Sequence, residues 1–117
     1  MRPLTYREYR DAAALLWGEA GEYAAAELAR LNREHFAGSV PPLPVIIGLT
    51  AYGRCIGATL HPGAWLESPR ITLASEIFNG SARCRGGRRQ VSDVLVHELV
   101  HAVLMLRGED PRHNRRR

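Results

Sequence analysis

The chain has 117 residues, of which 45% are apolar and 24% are charged, and its formal net charge is +4. This length fits one domain, and the composition is that of a globular chain with a core, not of a disordered or fibrous one. No segment approaches the roughly 20 apolar residues that cross a membrane. The N-terminus turns polar at once and lacks the apolar stretch of a secretory signal. The sequence therefore predicts one cytoplasmic domain that spans residues 1–117 and has no membrane partner.

The N-terminal part, residues 5–36, is predicted to be helical. Apolar residues recur there at spacings of three and four, which is the period of one helix face. Gly18 and Gly21 weaken this pattern and favour a split into two helices. Prolines at positions 41, 42 and 44 follow, and they end any helix because proline fixes φ and lacks an N–H donor.

Three short segments rich in β-branched residues predict a small sheet within residues 44–74. Residues 45–50 form the first candidate strand. Residues 54–60 are expected to pair with it as a hairpin, although Gly57 weakens this second strand. Residues 70–74 form the third candidate strand and alternate well between the two faces of a sheet.

A second long helix is predicted over residues 91–107, after an Arg/Gly-rich loop at residues 79–89. Gln90 or Ser92 is expected near its N-cap, and Gly108 fits its C-terminal stop. Apolar residues cover this helix nearly all round, and such a helix is expected to be buried. The expected fold class is therefore α+β, with N-terminal helices, a three-stranded sheet and a buried C-terminal helix.

The segment His97-Glu98-Leu99-Val100-His101 carries the chemistry of this helix. Residues four apart share a helix face, so the imidazoles of His97 and His101 can both bind one Zn²⁺. Glu98 is adjacent, and a glutamate at this position of an HExxH motif can take a proton from water that zinc has activated. The motif therefore predicts Zn²⁺ as the cofactor and Glu98 as the general base.

A different interpretation of the same segment needs no metal. Two histidines and a glutamate inside an apolar helix are unfavourable unless they are hydrogen-bonded or bind a ligand. Two hydrogen-bonded core histidines next to an exposed glutamate would satisfy this requirement, since an HExxH pattern also arises by chance.

A catalytic zinc usually has three protein ligands, so a third ligand is expected after His101. The metzincin pattern is excluded, because it requires glycine at position 104 and histidine at position 107, where the chain has Leu104 and Arg107. Three downstream candidates remain: Glu109, Asp110 and His113.

Of these candidates, His113 is preferred as the third ligand. Gly108 and Pro111 allow the chain to leave the helix and fold back toward it. The alternative for His113 is a solvated histidine in a C-terminal tail.

Three segments of the chain share the pattern of one known family. The first joins Leu31-Asn32 to Phe36-Ala37-Gly38 and a Pro-rich step into a strand, and the second is the strand segment at residues 70–74. The third and most specific is the stretch at residues 94–102, which contains the HExxH motif and is followed by His113. With these segments the chain resembles the SprT-like zinc metallopeptidase family, a zincin group that includes a DNA–protein crosslink protease.

This resemblance implies a zincin-type fold in which helices pack on a small sheet, and a protein or peptide substrate. It implies Glu98 as the general base and three zinc ligands: His97, His101 and His113. It also assigns residues 70–74 as the edge strand that holds the substrate backbone by strand addition. The family pattern continues after the third histidine with a glycine, a large aromatic residue and a further helix. This chain closes with a short basic tail, residues 108–117, and is therefore expected to be a truncated fragment or a degenerate member with weak zinc affinity.

Half of the 16 basic residues lie in two groups that flank the second long helix in sequence. Arginine pairs well with phosphate oxygens, so these groups predict nucleic acid as a second partner. The alternative is a solvated loop and tail in a chain whose basic residues are all arginine. A non-catalytic, Arg-rich nucleic-acid-binding module is therefore the second function to test. The two groups are Arg83, Arg85, Arg88 and Arg89 in the loop, and Arg112, Arg115, Arg116 and Arg117 in the tail.

Overall fold

A computed structural model describes residues 4–48, 56–60, 69–82 and 84–109 of the chain. Helix α1 spans Tyr6–Phe36. It begins with a capping box, in which the Thr5 side chain accepts from the Glu8 N–H at 3.1 Å and the Glu8 carboxylate accepts from the Thr5 N–H at 3.0 Å. The predicted N-terminal helix is therefore confirmed.

Helix α1 is kinked at Gly18, where φ is 67° and ψ is −146°. Only glycine adopts this backbone conformation readily, so the predicted break falls at Gly18, and the chain is helical at Gly21. The helix ends at Phe36, before the three prolines, and Ala37 takes a left-handed conformation with φ of 53°.

The buried side chain of Asn32 fixes the segment that follows α1. Its amide donates to the Val40 carbonyl oxygen at 2.9 Å and its carbonyl accepts from the Val40 N–H at 3.1 Å. The Tyr6 hydroxyl also donates to the Val40 carbonyl oxygen, at 2.9 Å. These bonds connect the first turn of α1, its last turn and the approach to the sheet.

The sheet has three strands, β1 (Val45–Ile47), β2 (Gly57–Leu60) and β3 (Arg70–Leu73), in the order β1-β3-β2. Strand β3 pairs parallel with β1 and antiparallel with β2. The predicted hairpin between the first two strands is therefore wrong. The strand in the centre is the one whose Ile71 and Leu73 are fully buried, and it takes both neighbours as partners.

A single helical turn, α2 (Glu76–Asn79), precedes the Arg/Gly-rich segment, and helix α3 spans Arg88–Leu106. Helix α3 begins three residues earlier than predicted, so Arg88 and Arg89 lie in its first turn and not in a loop. Its N-cap is Gly87, not Gln90 or Ser92. Gln90 still supports this end of the helix, because its side-chain oxygen accepts from the Gly86 N–H at 2.8 Å.

Helix α3 ends as predicted at Gly108, whose φ is 77°. The Gly108 N–H donates to the Met105 carbonyl at 3.0 Å, and the Glu109 N–H donates to the Leu104 carbonyl at 2.8 Å. This pair of bonds is a Schellman motif, which satisfies the last carbonyls of a helix.

Helices α1 and α3 pack against each other and on the sheet, with α1 against β1 and α3 against β2 and β3. The architecture confirms the α+β class. Helix α3 buries one stripe, but Val100 and Leu106 are each 44% exposed. The prediction of a helix buried all round is therefore wrong, because α1 and the small sheet cover only one side of it. None of the described helices is both long and apolar enough to cross a membrane.

Candidate metal centre and its edge strand

The imidazoles of His97 and His101 lie side by side, one turn apart on α3. Their Nε2 atoms are 3.3 Å apart and their ring centroids are 4.8 Å apart. Two nitrogens that each bind a tetrahedral Zn²⁺ at about 2.0–2.1 Å must be about 3.3–3.4 Å from each other. This separation fits a shared zinc ion, for which imidazole is a preferred ligand, and it also fits a hydrogen bond between the two rings.

The three polar residues of the HExxH segment differ in burial. His97 is exposed and His101 is half-buried, whereas Glu98 is only 6% exposed. This is the reverse of the pattern that core histidines next to an exposed glutamate would give. The interpretation without a metal placed the two histidines in the core and Glu98 at the surface, and this burial pattern is wrong.

The Glu98 carboxylate reaches from α3 to strand β2. Its Oε1 atom accepts a hydrogen bond from the Thr59 hydroxyl at 2.7 Å. The Thr59 Oγ1 atom also lies 2.9 Å from the Glu98 carbonyl oxygen. Thr59 is 39 residues away in sequence, and no sequence signal identifies it as a partner of the motif.

Strand β2 can approach α3 this closely because residue 57 is a glycine. A Cβ atom there would lie 2.9 Å from Val94 Cγ1 and 2.9 Å from the Thr72 carbonyl oxygen. Side chains alternate along a strand, so Gly57 and Thr59 share the face toward α3. The glycine that weakens the strand prediction is thus what allows Thr59 to contact Glu98.

Among the strands that the structure describes, β2 and not β3 is the edge strand beside α3. The Ile71 N–H donates to the Pro44 carbonyl at 3.2 Å and the Leu73 carbonyl accepts from the Gly48 N–H at 2.8 Å, both on the β1 side. On the other side, the Ala74 N–H donates to the Ile56 carbonyl at 2.9 Å. The assignment of residues 70–74 as the edge strand is therefore wrong, because β3 is paired on both sides.

The hydrogen-bond pattern also sets which peptide groups of β2 face outward. Ile71 and Leu73 direct their peptide groups toward β1, and their partners in the register with β2 are Thr59 and Gly57. In an antiparallel pair, residues alternate between hydrogen-bonded and non-hydrogen-bonded positions. Thr59 and Gly57 occupy non-hydrogen-bonded positions, so their N–H and C=O groups point away from β3.

The third zinc ligand is not settled by the described residues. His113 and Asp110 lie outside them, and Glu109 is exposed just after α3. No cluster of three or more histidine, cysteine, aspartate or glutamate side chains suited to a metal occurs in the part of the chain that is described. His113 as a ligand stays a prediction.

A buried polar network links α1 to the N-terminal part of α3, and no sequence pattern predicts it. Glu27 is 8% exposed, accepts from Arg30 Nε at 2.9 Å and is hydrogen-bonded to the Ser92 hydroxyl. The Tyr23 hydroxyl lies 3.1 Å from Ser92 Oγ. The bonds from Arg30, opposed by burial and aided by Ser92, lower the pKa of the Glu27 carboxyl.

Three arginines of the loop group are described, and all three are exposed: Arg85, Arg88 and Arg89. The Arg88 guanidinium lies 5.2 Å from the centroid of the Tyr23 ring, within cation–π range. Arg83 and the four arginines of the tail lie outside the described residues.

Comparison of the chain with family models, curated proteins and solved structures finds no match. Its function therefore has to follow from the histidine pair, Glu98 and the strand that lies beside them.

Proposed function

We propose that the chain is a zinc-dependent metallopeptidase of the SprT-like type, which hydrolyses peptide bonds. The observation that supports this most is the 3.3 Å separation of the His97 and His101 Nε2 atoms. In this proposal both histidines hold Zn²⁺ together with His113. When bound, Zn²⁺ supplies Lewis acidity, which polarises a carbonyl group and makes water reactive at neutral pH.

Glu98 is the general base of the proposed reaction. Its carboxylate takes a proton from the attacking water and delivers it to the amine nitrogen of the leaving peptide, so the base returns to its starting state. Oε1 accepts from Thr59, and in this proposal Oε2 takes the proton. A carboxylate that is held in one orientation meets the geometric requirement of general-base catalysis.

The proposed substrate is a protein or peptide segment in extended conformation along β2. The outward peptide groups of Gly57 and Thr59 would pair with its backbone, as in strand addition. Recognition through the backbone tolerates many side chains, and it places the substrate next to the strand that contacts Glu98.

Zinc content and hydrolysis of an unfolded protein substrate test this proposal together. We expect one zinc per chain in the wild type and in Glu98→Gln, since the amide keeps the shape of the side chain and Glu98 is not a ligand. Hydrolysis should fall by about 100-fold or more in Glu98→Gln, because the amide cannot accept the proton. A wild-type chain that binds no stoichiometric zinc would contradict the proposal.

The exposed arginines near the start of α3 favour a second candidate function, a non-catalytic nucleic-acid-binding module. Replacing Arg85 and Arg89 by glutamine should then weaken DNA binding and reduce its salt dependence, because each phosphate contact releases counterions. Glu98→Gln is the control, since it should leave DNA binding unchanged. DNA affinity that does not change with salt would exclude this candidate.

A further inference from the structure

The Thr59 hydroxyl forms the contact between the edge strand β2 and Glu98, the proposed general base. Its distance to Glu98 Oε1, 2.7 Å, is that of a hydrogen bond to a charged acceptor. Among the described residues, Thr59 is the one hydrogen-bond donor to this carboxylate. The Glu98 side chain is only 6% exposed. Without this bond its carboxylate would stay buried and would lose the hydrogen-bond donor that Thr59 supplies.

Thr59 also belongs to the surface that would receive a substrate. Its peptide N–H and C=O point away from β3, as the register with Ile71 requires. Its side chain points out of the plane of the sheet, toward α3. One residue therefore faces both the outer edge of the sheet and the carboxylate.

We propose that Thr59 is a positioning residue for Glu98, which it holds through Oε1 so that Oε2 faces the reacting water. This inference rests on the proposed peptidase function. Thr59 lies on the edge strand, and a substrate would pair with the same strand. Thr59 would therefore fix the position of the Glu98 carboxylate relative to that substrate. Without this hydrogen bond the Glu98 side chain would occupy several rotamers. A displaced general base lowers kcat and leaves the affinity for the substrate unchanged.

Steady-state kinetics on three variants test the proposal. Thr59→Val keeps the shape of the side chain and removes the hydroxyl, so we expect kcat to fall about 10- to 100-fold with KM unchanged. Thr59→Ser restores the hydroxyl and should recover most of kcat. Thr72→Val, on the opposite face of the neighbouring strand, is the matched control and should keep the wild-type kcat. Zinc affinity, measured by competition with a chromophoric chelator, should be the same in all four proteins.

A wild-type kcat in Thr59→Val, or an equal loss in Thr59→Ser and Thr59→Val, would overturn the proposal. Stability provides a readout that does not need activity. Thr59→Val should lower the denaturation midpoint of the wild type more than that of Glu98→Leu, in which only the hydrogen bond from Thr59 to the backbone carbonyl of residue 98 is lost. Equal shifts in both backgrounds would overturn the contact itself. An inactive, zinc-free wild type with unequal shifts would refute the peptidase function while supporting the contact.

Discussion

Gly57 lies so close to Val94 that a methyl group on its Cα would stand 2.9 Å from Val94 Cγ1. The Thr72 carbonyl oxygen, which belongs to the sheet backbone, would be equally close at 2.9 Å. At such distances one of the atoms has to move. The absence of a side chain at residue 57 therefore sets how near the edge strand lies to α3, and with it the Thr59–Glu98 contact.

Gly57→Ala should accordingly push β2 away from α3. We expect a loss of about 1–3 kcal/mol in the free energy of unfolding, which is typical of overpacking, measured by chemical denaturation. Val94→Ala in the same chain should recover part of the loss by removing one of the two close contacts. Full stability in Gly57→Ala would show that the strand approaches the helix less closely than the structure indicates.

Local patterns in the sequence predicted both long helices, because periodicity and capping act over a few residues. The apolar spacing within residues 5–36 and the stop at Gly108 are of this kind. The order of the strands was not predictable in the same way. It depends on which strand is buried on both faces. In β3, Ile71 and Leu73 are buried on one face and Thr72 on the other, and a hairpin prediction that rests on turn residues does not include this burial.

For the candidate site, too, the local part was predictable from the sequence and the part that depends on packing was not. The i, i+4 spacing of His97 and His101 predicts that they share a helix face, and the structure brings their Nε2 atoms together. Burial of Glu98 and its bond to Thr59 depend on how β2 packs against α3. Neither follows from the motif, because the partner lies on another element.

The histidine pair gives a direct prediction for zinc affinity. His97→Ala or His101→Ala should weaken Zn²⁺ binding more than about 100-fold, since each removes a direct ligand and even outer partners of a metal site are worth 10- to 100-fold. His35→Ala is the matched control, because His35 is an exposed histidine near the end of α1. Chelator competition measures all three affinities, and a similar affinity in all of them would place the zinc elsewhere.

His113 can be tested in the same titration. His113→Ala should lower zinc affinity if it is the third ligand, whereas unfolding of the apo chain should be unaffected. Retention of wild-type affinity would remove His113 from the site and direct the same substitution to Glu109 and Asp110.

Asn32 should matter for stability and not for zinc. It is 2% exposed, and its side chain pairs with both backbone groups of Val40. Asn32→Ala leaves the Val40 N–H without its acceptor, whereas the Val40 carbonyl keeps the Tyr6 hydroxyl as a donor, so we expect a loss of about 1–3 kcal/mol in the free energy of unfolding. A zinc affinity that fell in proportion would instead indicate that this end of α1 contributes to the metal site.

Glu27 gives the stability a defined dependence on acid. Arg30 holds the pKa of this carboxyl below its ordinary value of about 4.5, against the effect of burial and with help from Ser92. On acidification the unfolded chain therefore takes up the proton first. The stabilisation is complete above about pH 4.5 and is lost as the pH falls through the lowered folded-state pKa.

Glu27→Gln should remove this part of the acid dependence. We expect a loss of about 1–3 kcal/mol at neutral pH, since hydrogen bonds to a charged group are removed from a buried site, and a smaller loss below about pH 4. Glu22→Gln is the control on the same helix: its side chain is 47% exposed in an ion pair with Arg10, and exposed pairs contribute little. Denaturation curves across this pH range measure how the free energy of unfolding depends on pH. An equal pH dependence for the wild type and Glu27→Gln would mean that the network between α1 and α3 does not hold a charged carboxylate.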